Sequence, residues 1–190
     1  MIFDAQAARD PEGAASILET VRSSPMRYVL LDRITSLVPP ERATAVKCVS
    51  LSDDVFADHF PGLPVFPGAL VLEALAELGG VLLEATMRER GRGDLYAVLS
   101  IVERMKLRRM ARPGDRIDLE ARGLAAQEDG GRVRVSAHID HQLVTETEIT
   151  FSLVPITNPI VIAQRKQLLD VWLHGGLRDL AAPPSAAAKF

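Results

Sequence analysis

Apolar and polar residues alternate with period two over much of the second half of the chain. One long apolar run interrupts the first half. The alternating stretches span residues 116–121, 132–139 and 145–153, and the last puts Thr147, Ile149, Phe151 and Leu153 on one face. Period two is the spacing of a half-buried strand, so each stretch predicts one. Residues 127–131 and the pair Asp140-His141 lie between them and read as turns. Residues 102–110 also alternate and are expected as a strand, after a short apolar strand over 95–99. Upstream, residues 28–34 and 42–50 predict two further strands, joined by a turn over 38–42.

The long run opens at Gly68-Ala69-Leu70-Val71-Leu72-Glu73-Ala74-Leu75-Ala76-Glu77-Leu78 and continues to about Met87. Pro67 suits a first helical turn, where its missing N–H has no intrahelical partner. The run is apolar on nearly every side, so the helix is expected to be buried all round. Before it, residues 56–68 hold Pro61, Pro64, Pro67, Gly62 and Gly68 among Phe56, Phe60, Leu63, Val65 and Phe66. That mixture excludes regular structure and a solvated linker alike. It predicts an ordered loop against the core, a common place for function. One enclosed helix followed by an antiparallel meander predicts an α+β domain whose sheet wraps the helix.

The flanks differ. Residues 1–13 are expected to be loose, and residues 14–22 to form a short helix. After Pro155 a helical appendage is expected over 160–180, with Trp172 as a packing anchor. The Ala/Pro-rich residues 181–190 are expected to be unstructured. The domain division is therefore 1–13, 14–155 and 156–190.

Length and charge narrow the function classes. A chain of 190 residues suits one domain plus extensions. The net charge of -3 argues against wholesale nucleic-acid binding. The longest apolar run is broken by Glu73 and Glu77 and is short for a membrane span. The first residues lack a signal-peptide pattern, so a cytoplasmic protein is expected. Cys48 is the sole cysteine, and a buried, inert thiol is expected. The histidines lack the spacing of a ligand set, so no metal is expected.

Candidate chemistry centres on His59 and Glu73. Each alone also reads as a structural residue: a loop histidine, and a carboxyl paired or placed at a helix edge. Together, an imidazole on a rigid loop and a carboxyl on the helix that follows form a plausible acid/base pair. Gly68 starts that helix, where free N–H groups favour an anion and the missing side chain permits close approach.

Asp58-His59-Phe60-Pro61-Gly62-Leu63-Pro64-Val65-Phe66-Pro67-Gly68-Ala69-Leu70-Val71-Leu72-Glu73-Ala74-Leu75-Ala76 closely resembles the signature of the FabZ-type 3-hydroxyacyl-(acyl carrier protein) dehydratases. Pro25-Met26-Arg27-Tyr28 through Asp32-Arg33 resembles their leading strand. The segment from Lys106 to Asp115 resembles their F-K-R-P-V-x-P-G-D stretch. The resemblance covers about residues 14–155.

It implies a hot-dog fold, an antiparallel sheet wrapped round one long helix. It also implies a homodimer or larger dimer-based assembly, with His59 of one chain facing Glu73 of the other. His59 would take the C2 proton, Glu73 would protonate the departing C3 hydroxyl, and the Gly68 N–H would hold the thioester oxygen. Such a donor is typically worth about 3 kcal/mol of barrier. Phe60, Pro67 and Glu77 would support them. No cofactor or metal is implied. The substrate would be a 3-hydroxyacyl chain on an acyl carrier protein, and the product a trans-2-enoyl thioester.

Three departures stand out. Glu77 replaces the family's glutamine, Met26 a histidine, and Asp58 the glycine before His59. Glu73 and Glu77 share a helix face, so one apparent pKa should rise. That would help keep Glu73 protonated; alternatively, Glu77 faces a basic group or solvent. Arg104, Lys106 and Arg108 alternate, and Arg109 and Arg112 lie nearby. They read either as a solvated face or as a docking patch for an acidic carrier protein. His138 and His141 read as surface histidines. A thioesterase and a non-catalytic acyl-binding subunit remain the rival functions.

Overall fold

A computed structural model describes residues 29–175. The helix expected over 14–22 and the tail expected over 181–190 lie outside the described residues. The elements run β1 (Arg33–Val38), β2 (Arg42–Cys48), a 3-10 turn (Asp54–Ala57), α1 (Gly68–Glu89), β3 (Leu95–Val102), β4 (Arg116–Ala126), β5 (Gly130–Ile139), β6 (Gln142–Pro155) and α2 (Pro159–His174). All strand pairs are antiparallel, in one sheet of order β1-β2-β4-β5-β6-β3. The sheet wraps α1, which is the hot-dog arrangement.

The alternation explains the layers. In β5, Val133, Val135, Ala137 and Ile139 are buried while Arg132 and Arg134 face solvent. Thr147, Ile149, Phe151 and Leu153 of β6 are all buried, as the period predicts. The Asp140-His141 reversal has φ of 50° and 64°, joining Ile139 to its partner Gln142 through the left-handed conformations that a tight two-residue hairpin requires. Helix and sheet approach closely at Gly79, where an added Cβ would lie 2.8 Å from Val133 Cγ2.

Several expectations are corrected. The leading strand begins at Arg33, not residue 28, and Tyr28 lies outside the described residues. Leu30 and Leu31 leave the ladder because side chains claim their polar groups: the Leu30 N–H donates to Glu77 Oε2 (3.0 Å) and Leu31 O accepts from Trp172 Nε1 (2.7 Å). The strand expected over 102–110 ends at Val102. Beyond it two isolated backbone bonds tether the chain to β6, Glu103 N–H to Glu148 O and Arg108 N–H to Val144 O, so Arg104, Lys106 and Arg108 share no strand face. Cys48 is exposed, at the outward-facing end of β2.

Finally, α1 is wholly buried only from Leu78 to Met87. Ala69 is exposed and Leu72, Glu73 and Glu77 are half-buried, so its first turns present one open face. Pro67 stands just before the helix, at its N-cap. The appendage α2 starts where Asn158 Oδ1 accepts the Ile160 N–H, with Pro159 in the first turn. It runs to His174, where Gly175 with φ of 70° forms the C-cap; residues 176–180 of the expected appendage lie outside the described residues. Trp172 is the anchor expected of it, 1% exposed.

Candidate active site

The loop before α1 is ordered by its own backbone. The His59 N–H donates to Val55 O (3.0 Å), and the Val65 N–H to His59 O (3.3 Å). Phe60 and Leu63 exchange backbone bonds of 3.1 and 2.9 Å, and the Phe66 N–H reaches Ala111 O at 2.8 Å. These bonds explain how a proline-rich stretch holds one shape.

His59 is thereby aimed. Its Nδ1 lies 3.0 Å from Val65 O, an atom that can only accept. Nδ1 therefore carries the hydrogen, and the lone pair sits on Nε2, the nitrogen free to take a proton. The ring stacks on Phe60, with centroids 4.0 Å apart, which fixes its plane.

The same loop delivers the start of α1. Pro67 O accepts the N–H groups of Leu70 (3.0 Å) and Val71 (3.2 Å). The Gly68 and Ala69 N–H groups take no acceptor among the described residues, and no side chain caps the helix. Free donors at a helix N-terminus favour an oxygen that gains negative charge. Leu107 lies against the bare Cα of Gly68, and a Cβ there would stand 2.0 Å from Leu107 Cδ1 unless that side chain moved. A cavity of about 240 Å³ opens beside it, lined by Val65, Phe66, Gly68, Val71, Leu107 and Met110.

Glu73 sits in the second turn of α1, half-buried, with no hydrogen bond or ion pair among the described residues. His59 and Glu73 of one chain are not hydrogen-bonded to each other. Glu77 is held differently. It accepts the Leu30 N–H, and burial pushes its carboxyl up to about 7. The neighbouring Glu73 raises it further, while the Leu30 and Leu31 N–H groups and the Arg165 guanidinium pull it down. Glu77 thus lies one turn from Glu73 and feels the Arg165 charge. The group driven towards neutrality is Glu77.

The basic residues divide. Arg104, Lys106 and Arg108 are exposed and form no ion pair among the described residues. Arg109 is engaged: it donates to Ile139 O (3.0 Å), Gln142 Oε1 (3.2 Å) and Asp140 Oδ2 (3.1 Å). His138 is half-buried opposite Asp118, and His141 is exposed in its turn. No cluster placed to hold a metal occurs among the described residues.

Sequence reasoning missed Glu84 and Arg165. Glu84 is 5% exposed, inside the wholly buried part of α1, and Arg165 Nη2 pairs with its Oε1 at 3.0 Å. Glu84 lies seven residues after Glu77, on the same helix face, which was the available signal. Arg165 gave none, because its partner is distant in sequence.

Residues 23–148 match the FabA-like domain. Similar curated proteins are 3-hydroxyacyl-[acyl-carrier-protein] dehydratases FabZ. That of Protochlamydia amoebophila is 36% identical over 148 residues, 76% of this chain and 94% of that protein. That of Bacillus velezensis is 38% identical, covering 68% and 91%. Among solved structures, the dehydratase heterocomplex ApeI:P from Xenorhabdus doucetiae superposes with a TM-score of 0.56 at 16% identity, over 75% of this chain and 92% of that one. Such a distant likeness speaks for the fold alone. The match across most of the domain, with the loop and helix start that carry the signature, places the chain in the FabA-like family, among relatives of the FabZ type.

Proposed function

We propose that the protein dehydrates 3-hydroxyacyl thioesters carried on an acyl carrier protein, giving trans-2-enoyl thioesters and water, in fatty-acid or related acyl synthesis. The observation that carries this is His59 held through Nδ1 by Val65 O, on the loop that ends in the uncapped N–H groups of Gly68 and Ala69. His59 Nε2 takes the proton from C2. The Gly68 N–H receives the charge gathering on the thioester oxygen. Glu73 gives its proton to the C3 hydroxyl, which leaves as water while the double bond forms. The apolar cavity beside Gly68 suits the thioester and its neighbouring chain. These steps use no cofactor.

A homodimer completes the site in this reading. The open face of α1 carries Glu73, and the edge strand β3 exposes Val98, Leu99 and Ile101. Unpaired strand edges and contiguous apolar surface both seek a partner. A second copy there would bring its own His59 towards Glu73. Arg104, Lys106 and Arg108 serve the acidic carrier protein, and Arg109 anchors their segment to the β5–β6 turn. Residues 14–155 act as the catalytic domain and residues 156–190 as its extension. No described helix is long and apolar enough to cross a membrane, and we place the enzyme in the cytoplasm.

The test is incubation with a 3-hydroxyacyl thioester. Enoyl product is expected. Free thiol would instead indicate a thioesterase, and neither product a binding subunit. His59→Ala and Glu73→Gln should each lower kcat by roughly 10²–10⁴, the usual contribution of general acid–base groups.

A further inference from the structure

Helix α2 lies beyond the FabA-like match, yet buried polar contacts fasten it to the catalytic helix. Arg165 Nη2 and Nε reach Glu84 Oε1 and Oε2 at 3.0 and 3.4 Å. The Glu84 carboxyl also accepts the Ala97 N–H at 3.2 Å. A Cβ on Gly80 would stand 3.9 Å from Arg165 Nη2, so the guanidinium runs along the face of α1 that bears Glu77, Gly80 and Glu84. It also lies 6.0 Å from the ring centroid of Trp172, one helical segment further on. Trp172 holds Leu31 O, and the adjoining Leu30 N–H holds Glu77. Two routes therefore run from α2 to Glu77, one through charge and one through the Leu30-Leu31 backbone. Glu77 is one helical turn from Glu73.

We propose that Arg165 is a positioning residue for Glu73, acting through Glu77, with Trp172 holding the backbone on which Glu77 rests. This rests on the reading of Glu73 as the dehydratase acid. Around Glu77 stand the Leu30 N–H whose bond it accepts, the Glu73 carboxyl one turn before it on α1 and, over Gly80 one turn after it, the Arg165 guanidinium. Only Arg165 brings a positive charge. Removing it leaves Glu77 neutral to higher pH, so the negative charge beside Glu73 appears later.

The experiment compares pH–rate profiles of the wild type, Arg165→Met, Arg165→Lys and the double variant Arg165→Met/Glu84→Gln. The double variant removes both partners of the buried pair and keeps an acceptor for the Ala97 N–H, so it keeps the test valid where the single variant unfolds. In the Met variants kcat should fall by about ten-fold, since a misplacement near 1 Å costs up to about 10²-fold. KM should stay within about two-fold. The inflection tied to Glu77 should move up in pH, and Arg165→Lys should restore it. A folded double variant with wild-type kcat and inflection overturns the proposal. So does an equal loss of kcat in Met and Lys variants with the inflection unmoved, which marks a merely structural role. If the wild type forms no enoyl product, the dehydratase reading fails instead. Carbon-13 titration of the Glu77 carboxyl then decides: an upward shift in the double variant supports the influence of Arg165 on Glu77, and no shift refutes it.

Discussion

Two residues show how local chemistry sets the behaviour of this site. Glu77 titrates at about 7 in the folded protein against its ordinary 4.5. Between those values the folded chain holds a proton that the unfolded chain has released. This stabilising contribution is complete below the ordinary value and is lost as pH rises through about 7. Glu77→Gln removes the titration. Its stability relative to wild type should therefore grow from pH 5 to pH 8, by on the order of 2 kcal/mol, as urea denaturation at the two pH values would read. Gly68 makes the opposite kind of case. The Cβ of Gly68→Ala would meet the end of a Leu107 side chain that is 48% exposed and able to swing aside. Stability should change by about 1 kcal/mol or less, below the usual cost of overpacking a closed core. The displaced Leu107 would crowd the cavity, so kcat/KM should drop while the melting temperature holds. Gly68 and His59 were legible in the sequence because their motif is local and dense in proline and glycine. The tautomer of His59 was not, because it depends on a carbonyl six residues away that only the folded loop brings back.

Among the elements, α2 is the one whose packing sequence periodicity could not describe. Its apolar residues make a weak pattern, yet Trp172 is fully enclosed and donates to Leu31 O. Trp172→Phe keeps most of the ring and strands that carbonyl, a loss of about 1–3 kcal/mol. Trp172→Ala removes the ring as well and should cost about 3–5 kcal/mol. Denaturant titration of the pair separates the hydrogen bond from the packing. The strands of the meander were legible because each buries one face, which writes period two into the sequence. Residues 103–110 misled for the same reason. Their alternation is real, but Thr147 donates its hydroxyl to Glu103 O and the chain then leaves the ladder, carrying Leu107 over Gly68. Alternation records sidedness, and an extended segment beside a sheet is as two-sided as a strand.

At the scale of the whole molecule, the reading of a shared site predicts that assembly and activity fall together. Ile101 is 54% exposed on the β3 edge. Ile101→Lys should convert dimer to monomer in sedimentation and abolish dehydration, while circular dichroism stays native. Carrier docking predicts a selective effect. Charge reversal of Arg104 and Arg108 to Glu should raise KM for the carrier-bound substrate more than for a small thioester analogue, and high salt should shrink the difference. The Glu84 carboxyl has a last consequence at this scale. Ala97 faces Leu153, whose own N–H turns away to Asp129 O, so the Ala97 N–H points outward along the free edge of the sheet. Glu84 occupies it. An arriving strand therefore meets its first vacant donor only beyond Ala97, and it must align on the few residues that remain. A side chain rooted in the core thus writes a stop into the zip of backbone bonds, limiting how far, and in which alignment, two sheets can join.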